Sequence, residues 1–208
     1  MADEQPAANV ADATARKRPK PGERRIQILQ ALAAMLEQPG SERVTTAALA
    51  AKLEVSEAAL YRHFASKAQM CEGLIEFIET SVFSLLNQIA QGPHEAPDKL
   101  RRMLTVLLQF AERNPGMARV MVGDALVFEN ERLHQRMNQL FERVESALRQ
   151  VLRAAAEANK SATPTADAQV RAAVLVAFAL GQLQRFARSG FKRSPIDHLD
   201  ASLALMCR

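Results

Sequence analysis

The sequence predicts an all-α fold of about nine helices, and three observations carry that expectation. Between Val44 and Lys67, two short helical segments are joined by a tight turn, which reads as a helix-turn-helix. Beyond it, apolar residues recur at three- and four-residue steps in every long segment, and strand-like alternation is nowhere seen. Breaks at Pro39-Gly40, Gly92-Pro93, Asn114-Pro115 and Gly190 separate these segments.

Residues 1–21 are rich in Ala, Pro and charge without periodicity, and read as a disordered basic tail. A helix-turn-helix domain is expected over 22–67, and a helical dimerisation and partner-binding domain over 68–208. The first helix starts near Gly22 and presents Ile26, Leu29, Ala33 and Leu36. Thr45 or Thr46 caps the second, whose apolar positions are Ala48, Leu49 and Leu53, and Glu54-Val55 breaks it. Ser56 caps the third. That helix buries Val55, Ala59, Leu60 and Phe64 and leaves Glu57, Ala58, Tyr61, Arg62 and His63 outward. Ser66 caps a long fourth helix with the inward stripe Leu74, Ile78, Val82, Leu85 and Ile89. A fifth, from Ala96–Asp98, carries Leu100, Met103, Leu104, Leu107 and Leu108, and a short sixth follows Asn114-Pro115. The seventh runs from Asp124 through Leu133, Met137, Leu140, Val144, Leu148 and Val151, with Glu145 and Arg149 as an i,i+4 pair. The eighth spans Thr165 to Ser189 with Gly190 as its cap, and the ninth opens at Ser194-Pro195 and ends near Met206.

Composition narrows the function. Hydrophobic residues make up 48% of the 208, enough for a core without staples. The only cysteines, Cys71 and Cys207, are too far apart to suggest a disulfide framework or metal spacing, which suits a reducing compartment. No signal-peptide run is present, and no segment reads as a membrane span, so a soluble, cytoplasmic protein is expected. His63, His94, His134 and His198 are scattered, and neither a Gly-rich phosphate loop nor a nucleophile elbow occurs. No enzyme, metal or cofactor is expected. The net charge is +4, with Arg16, Lys17, Arg18, Lys20, Arg24 and Arg25 crowded together ahead of the helix-turn-helix, which favours a polyanion.

The outward face of the third helix suits a DNA groove. Small Ala58 and Ala59 allow close approach to base edges and thymine methyls, and Arg62 can donate two hydrogen bonds to guanine. Tyr61, His63, Thr46 and Lys67 offer donors or charge to phosphates, and Thr45, Ser56 and Glu57 complete the candidate DNA-binding set. On the eighth helix Val170, Ala173, Val174, Ala177, Phe178, Gly181 and Leu183 form a broad apolar surface. It fits either a second copy, with Val174, Ala177, Phe178 and Gly181 at the interface, or the buried centre of a monomer. On the fourth helix, steps of 100° put Phe77 at the edge of the inward stripe and Phe83 opposite it, so Phe83 is a candidate exposed aromatic. Arg113 and Asn114 end the fifth helix, where they either cap it or offer donors to an acidic peptide.

The order Thr45-Thr46-x-x-Leu-Ala, Val55-Ser56, then Leu60-Tyr-Arg-His-Phe-x-Ser-Lys67 resembles the DNA-binding head of TetR-family regulators. Leu74–Glu79, Glu112–Gly116 and Asn138–Arg143 resemble one branch of that family, the nucleoid occlusion factors (SlmA). This resemblance implies a homodimer joined through its last two helices and bound to dispersed palindromic sites on double-stranded DNA. It also implies antagonism of the tubulin-like division GTPase (FtsZ), whose relatives carry an acidic extended tail, at a surface including Phe77, Phe83, Arg113 and Asn114. Leu85 stands where that branch leads one to expect a basic residue. A ligand-responsive repressor and an architectural DNA binder remain alternatives. The absence of Trp, the single Tyr in the head and the dispersed Phe residues favour a filled body over a drug pocket.

Overall fold

The computed structural model describes residues 22–38, 44–127 and 129–206. The basic tail 1–21, the Pro39-Gly40 break and Cys207 lie outside the described residues. Among those described are nine α-helices and no strand: α1 Glu23–Leu36, α2 Thr46–Lys52, α3 Glu57–Tyr61, α4 Lys67–Gln91, α5 Ala96–Arg113, α6 Pro115–Met121, α7 Glu131–Ala158, α8 Pro164–Arg188 and α9 Leu199–Met206. The predicted all-α class is the observed one.

Local chemistry fixes the ends. Thr45, not Thr46, is the N-cap of α2 and accepts from the Ala48 amide at 3.1 Å; Ser56 and Ser66 do the same for α3 and α4. Glu54 takes φ 53° just past α2, and the Val55 amide reaches back to the Ala50 carbonyl at 3.0 Å. This closes the helix-turn-helix as a left-handed cap without glycine. Gly190 closes α8 in the same way (φ 62°), with Phe191 bonded to the Phe186 carbonyl and its ring 5.2 Å from that of Phe186. Two predicted starts move. Gly123 at φ 85° ends α6, a single 3-10 turn covers Asp124–Leu126, and α7 begins only after Asn130, whose side chain caps the Arg132 amide. Helix α9 begins at Leu199, not at Pro195, because His198 at φ 59° leaves the helical region.

One buried cluster runs through head and body, from Ile28, Leu32 and Leu49 to Leu175, Ala179 and Leu203. Within the head, α1 buries Ile28, Leu32 and Leu36, while Ile26 is exposed; in α2 it is Leu49 and Ala50, with Ala48 exposed. Helix α1 also packs on α4 and α6, so the head sits against the body. A close approach in that contact is at Gly116, where a Cβ would lie 2.1 Å from the Ala33 carbonyl oxygen. Only a glycine lets α6 approach the α1 backbone so closely.

The buried face of α4 turns along its length. Its lower half buries Met70, Cys71, Leu74, Ile75 and Ile78; its upper half buries Val82, Phe83 and Leu86 and leaves Leu85 45% exposed. At 100° per residue this is a rotation of roughly a quarter turn. Helix α4 is covered by α1 and α6 as well as by α5 and α7, so no single inward direction holds over its 25 residues. Salt bridges bind α4 to α7: Arg136 grips Glu79 with two hydrogen bonds of 2.6 and 3.3 Å, and Arg132 lies 3.8 Å from Glu72. Glu145 and Arg149 do not pair directly. Both instead bond Gln169 of α8, at 2.9 and 2.5 Å.

Candidate nucleic-acid interface

Helices α2 and α3 form the reading pair. Glu57, Ala58, Tyr61 and Arg62 are exposed on α3 and at its end, Thr45 and Ser56 are exposed at the two caps, and Ala59 is half-buried beneath them. Tyr61 keeps 46% of its surface. The outward face of α3 is therefore the one predicted, open to a groove. Beneath it Leu60 and Phe64 are buried, with Ala59 and Val55 half-buried.

Three residues expected to serve phosphates, Thr46, Arg25 and Lys67, have partners within the protein. The Thr46 hydroxyl donates to the Glu57 carboxylate at 2.6 Å, which pins the first residue of α3 to the first residue of α2. His63 is half-buried, and its carbonyl accepts from Arg25 at 2.5 Å while the Arg25 guanidinium lies 4.0 Å over the Phe64 ring. Arg25, the last residue of the basic run that begins at Arg16, is thus a brace of the head. Lys67 Nζ sits 2.5 Å from Glu129, just before α7, so its charge is partly spent on the body. Arg62 has no such tie among the described residues, so its guanidinium can be offered whole to a base.

Arg62→Ala is accordingly expected to weaken binding by about 1–3 kcal/mol and to relax selection at particular base pairs only. A base-by-base substitution panel read by fluorescence anisotropy measures this; a uniform loss across all sequences would make Arg62 a phosphate contact.

The second candidate surface lies between α4 and α5. Phe77 is 49% exposed, its ring 6.2 Å from that of Phe110, and Arg113 is exposed where α5 ends. Phe83 is a correction: it is only 8% exposed, with the Arg143 guanidinium 3.9 Å over its ring, because the upper half of α4 turns toward α7. Asn114 closes α5 by donating to the Phe110 carbonyl at 2.7 Å, so its amide serves the helix end. Sequence reasoning missed Phe110. It flanks the buried stripe of α5 beside Ala111, and its spacing from Phe77 along the chain gave no hint of their meeting. Leu85, expected inside, shares the exposed side of α4 with Phe77.

The third surface is on α8. Val170, Ala173, Val174, Ala177 and Gly181 are exposed and Phe178 is half-buried, whereas Leu183 belongs to the core. A Cβ at Gly181 would meet nothing within 4 Å. Among the described residues α8 is also the one helix long and apolar enough to cross a membrane, with a mean hydropathy of 1.2 over its most apolar window. The sequence reading had credited no segment with that property. Apolar residues on two sides, one packed on α5 and α7 and one open, give the same composition.

Cys71 lies buried at the base of α4, where burial above all pushes its thiol up from 9.0 to about 12. It is a neutral packing group at physiological pH, not a nucleophile.

Comparison with known proteins fits this geometry. Residues 28–74 match the family of bacterial regulatory proteins of the tetR type, and residues 95–208 match the SlmA-like family described as a tetracyclin repressor-like C-terminal domain. The nucleoid occlusion factor SlmA of Photobacterium profundum is 53% identical over 178 residues, 85% of this chain and 90% of the relative. The chain belongs to the SlmA family of TetR-type proteins. The SlmA of Vibrio cholerae is 51% identical over 88% of this chain and 93% of the relative. Among solved structures, the TetR-family regulator PfmR of Thermus thermophilus superposes with a TM-score of 0.69 at 20% identity, covering 86% of this chain and 96% of the other. That likeness shows the fold alone. The SlmA membership covers head and body together, so the helix-turn-helix and the α4–α5 surface both fall within the matched region.

Proposed function

We propose that this protein is a nucleoid occlusion factor: a homodimer joined through α8 that binds palindromic DNA by α3 and holds the division GTPase FtsZ away from septum formation over the chromosome. Membership of the SlmA family supports the overall reading. The single observation that carries the partner half of it is the exposed Phe77, its ring 6.2 Å from Phe110 of α5, with the exposed Arg113 three residues further along the same helix. An aromatic platform beside a guanidinium suits an extended acidic peptide with apolar anchors, since the cation forms charge-assisted hydrogen bonds and the ring supplies contact area. Helix α5 also places Arg113 in its last turn, where a cation is favoured.

Two recognition helices of a dimer must enter successive major grooves about 34–36 Å apart, which calls for a DNA site with two-fold symmetry. A ligand-responsive repressor is less well supported, because the middle of the body is filled by fully buried Leu104, Leu107, Leu108, Val144, Leu148 and Leu183.

The test is a pull-down of the division GTPase with and without cognate DNA, using wild type and Phe77→Ala/Arg113→Ala. The double variant is expected to lose about 2–4 kcal/mol of GTPase binding, the range of a hot spot, with operator affinity unchanged. Equal loss of DNA binding would make both residues structural, and undiminished GTPase binding would move the site elsewhere.

A further inference from the structure

Ion pairs join α4 to the start of α7, and the one nearest the head runs the other way round. Arg132 and Arg136 of α7 meet the acids Glu72 and Glu79 of α4, at 3.8 and 2.6 Å. At the head end the cation is on α4 instead, where Lys67 Nζ lies 2.5 Å from the Glu129 carboxylate just before α7. Glu129 is also the most covered of these acids, its side chain 10% exposed against 30% for Glu72 and 19% for Glu79. A carboxylate so covered holds its cation firmly, since leaving it unpaired costs desolvation that nothing offsets. Its charge reaches the first turn of α4 as well: after burial itself it is the largest cause of the raised Cys71 thiol, ahead of the opposing Lys67.

Lys67 stands close to the reading helix. It opens α4 behind the Ser66 cap, and only the short turn from Arg62 to Ser66 separates it from α3. A lysine at a helix N-terminus suits a phosphate, because the helix dipole adds to its charge. In the free protein a carboxylate of the body has that place. The ammonium can therefore reach a phosphate only by sharing or changing partners, and the carboxylate it leaves is repelled by the DNA.

We propose that Glu129 is a positioning residue for DNA binding: it withholds Lys67 from phosphate, so that engaging the duplex requires Lys67 to exchange a carboxylate for a phosphate. The inference rests on the reading of the head as the DNA-binding part and is independent of the GTPase surface. Its consequence extends to the body. When Lys67 turns to DNA, the turn before α7 loses its tie to the first residue of α4, while Arg132 and Arg136 keep theirs.

The experiment uses the full chain and a duplex of mixed sequence, because a phosphate contact carries no sequence information. Anisotropy is measured across a chloride series for wild type, Glu129→Gln, Lys67→Ala, the double variant and Glu131→Gln, with the Tm of each. Glu131 is exposed at the start of α7, so its substitution removes the same charge without touching Lys67's partner. Glu129→Gln is expected to bind about three- to tenfold more tightly at low salt, with a salt slope steeper by up to about one unit. Lys67→Ala should bind more weakly with a shallower slope, the double variant should match Lys67→Ala, and Glu131→Gln should match wild type. A gain that persists without Lys67, or that Glu131→Gln reproduces, would be a general charge effect and would overturn the proposal. Weaker binding by Glu129→Gln at an unchanged Tm would also overturn it, because Glu129 would then present Lys67 to DNA. A lower Tm with no gain in affinity would make the pair purely structural, and Lys67→Ala binding like wild type would remove its phosphate contact; either outcome sinks the exchange. These results leave DNA binding by the head standing, whereas a wild-type chain that bound no duplex would overturn both.

Discussion

Gly116→Ala is expected to lower the melting temperature on the order of 6–12 °C, because among the described glycines it is the one whose added Cβ would meet main-chain atoms closer than 3.0 Å. The added Cβ would lie 2.1 Å from the Ala33 carbonyl oxygen and 2.9 Å from its carbon. Both are main-chain atoms of α1, so no side-chain rotation relieves the clash, and α1 and α6 must part. Overpacking of this kind costs about 1–3 kcal/mol, and the backbone contact puts it at the upper end. In a domain of this size 3 kcal/mol corresponds to about the stated shift in Tm. Because α1 also braces α2 and α4, DNA affinity should fall with stability. Circular dichroism and anisotropy on a cognate duplex measure the two. Gly181→Ala is the control: its Cβ meets nothing within 4 Å, so its Tm should not fall. A wild-type Tm for Gly116→Ala would mean that α1 yields without cost, and that the head is only loosely seated.

Ala177→Leu/Gly181→Leu is expected to split the dimer and to reduce affinity for a palindrome by about 10²–10⁴, while binding to a single half-site stays unchanged. Both positions are exposed on α8. The added side chains therefore extend away from their own protomer, and any penalty arises between protomers, where small residues would let two helices approach closely. The affinity loss follows because the second half-site is no longer bound intramolecularly. Sedimentation gives the mass and anisotropy the two affinities. An intact dimer with unchanged palindrome binding would place the interface on another face.

Residue order alone determined the helix count, the helix-turn-helix, its caps at Ser56 and Ser66, the left-handed end at Gly190 and the open face of α3. These are local: a cap or a 3.6-residue period is decided by residues within one or two turns, which the chain spells out. The stripe of α8 was legible for the same reason, with Leu183 alone assigned to the wrong side. Tertiary structure decided the rest. Phe83 looked exposed and Leu85 buried because a helical wheel assumes one inward direction, whereas α4 meets α1 and α6 as well as α5 and α7 and its buried face rotates along the helix. Thr46, Arg25 and Lys67 looked free for phosphate, but Glu57, His63 and Glu129 hold them, through contacts between segments distant in sequence. The Phe77–Phe110 platform and the seat of Gly116 on Ala33 likewise join residues from different helices. Periodicity reports how each helix divides its own surface, but not which neighbour covers which part of it.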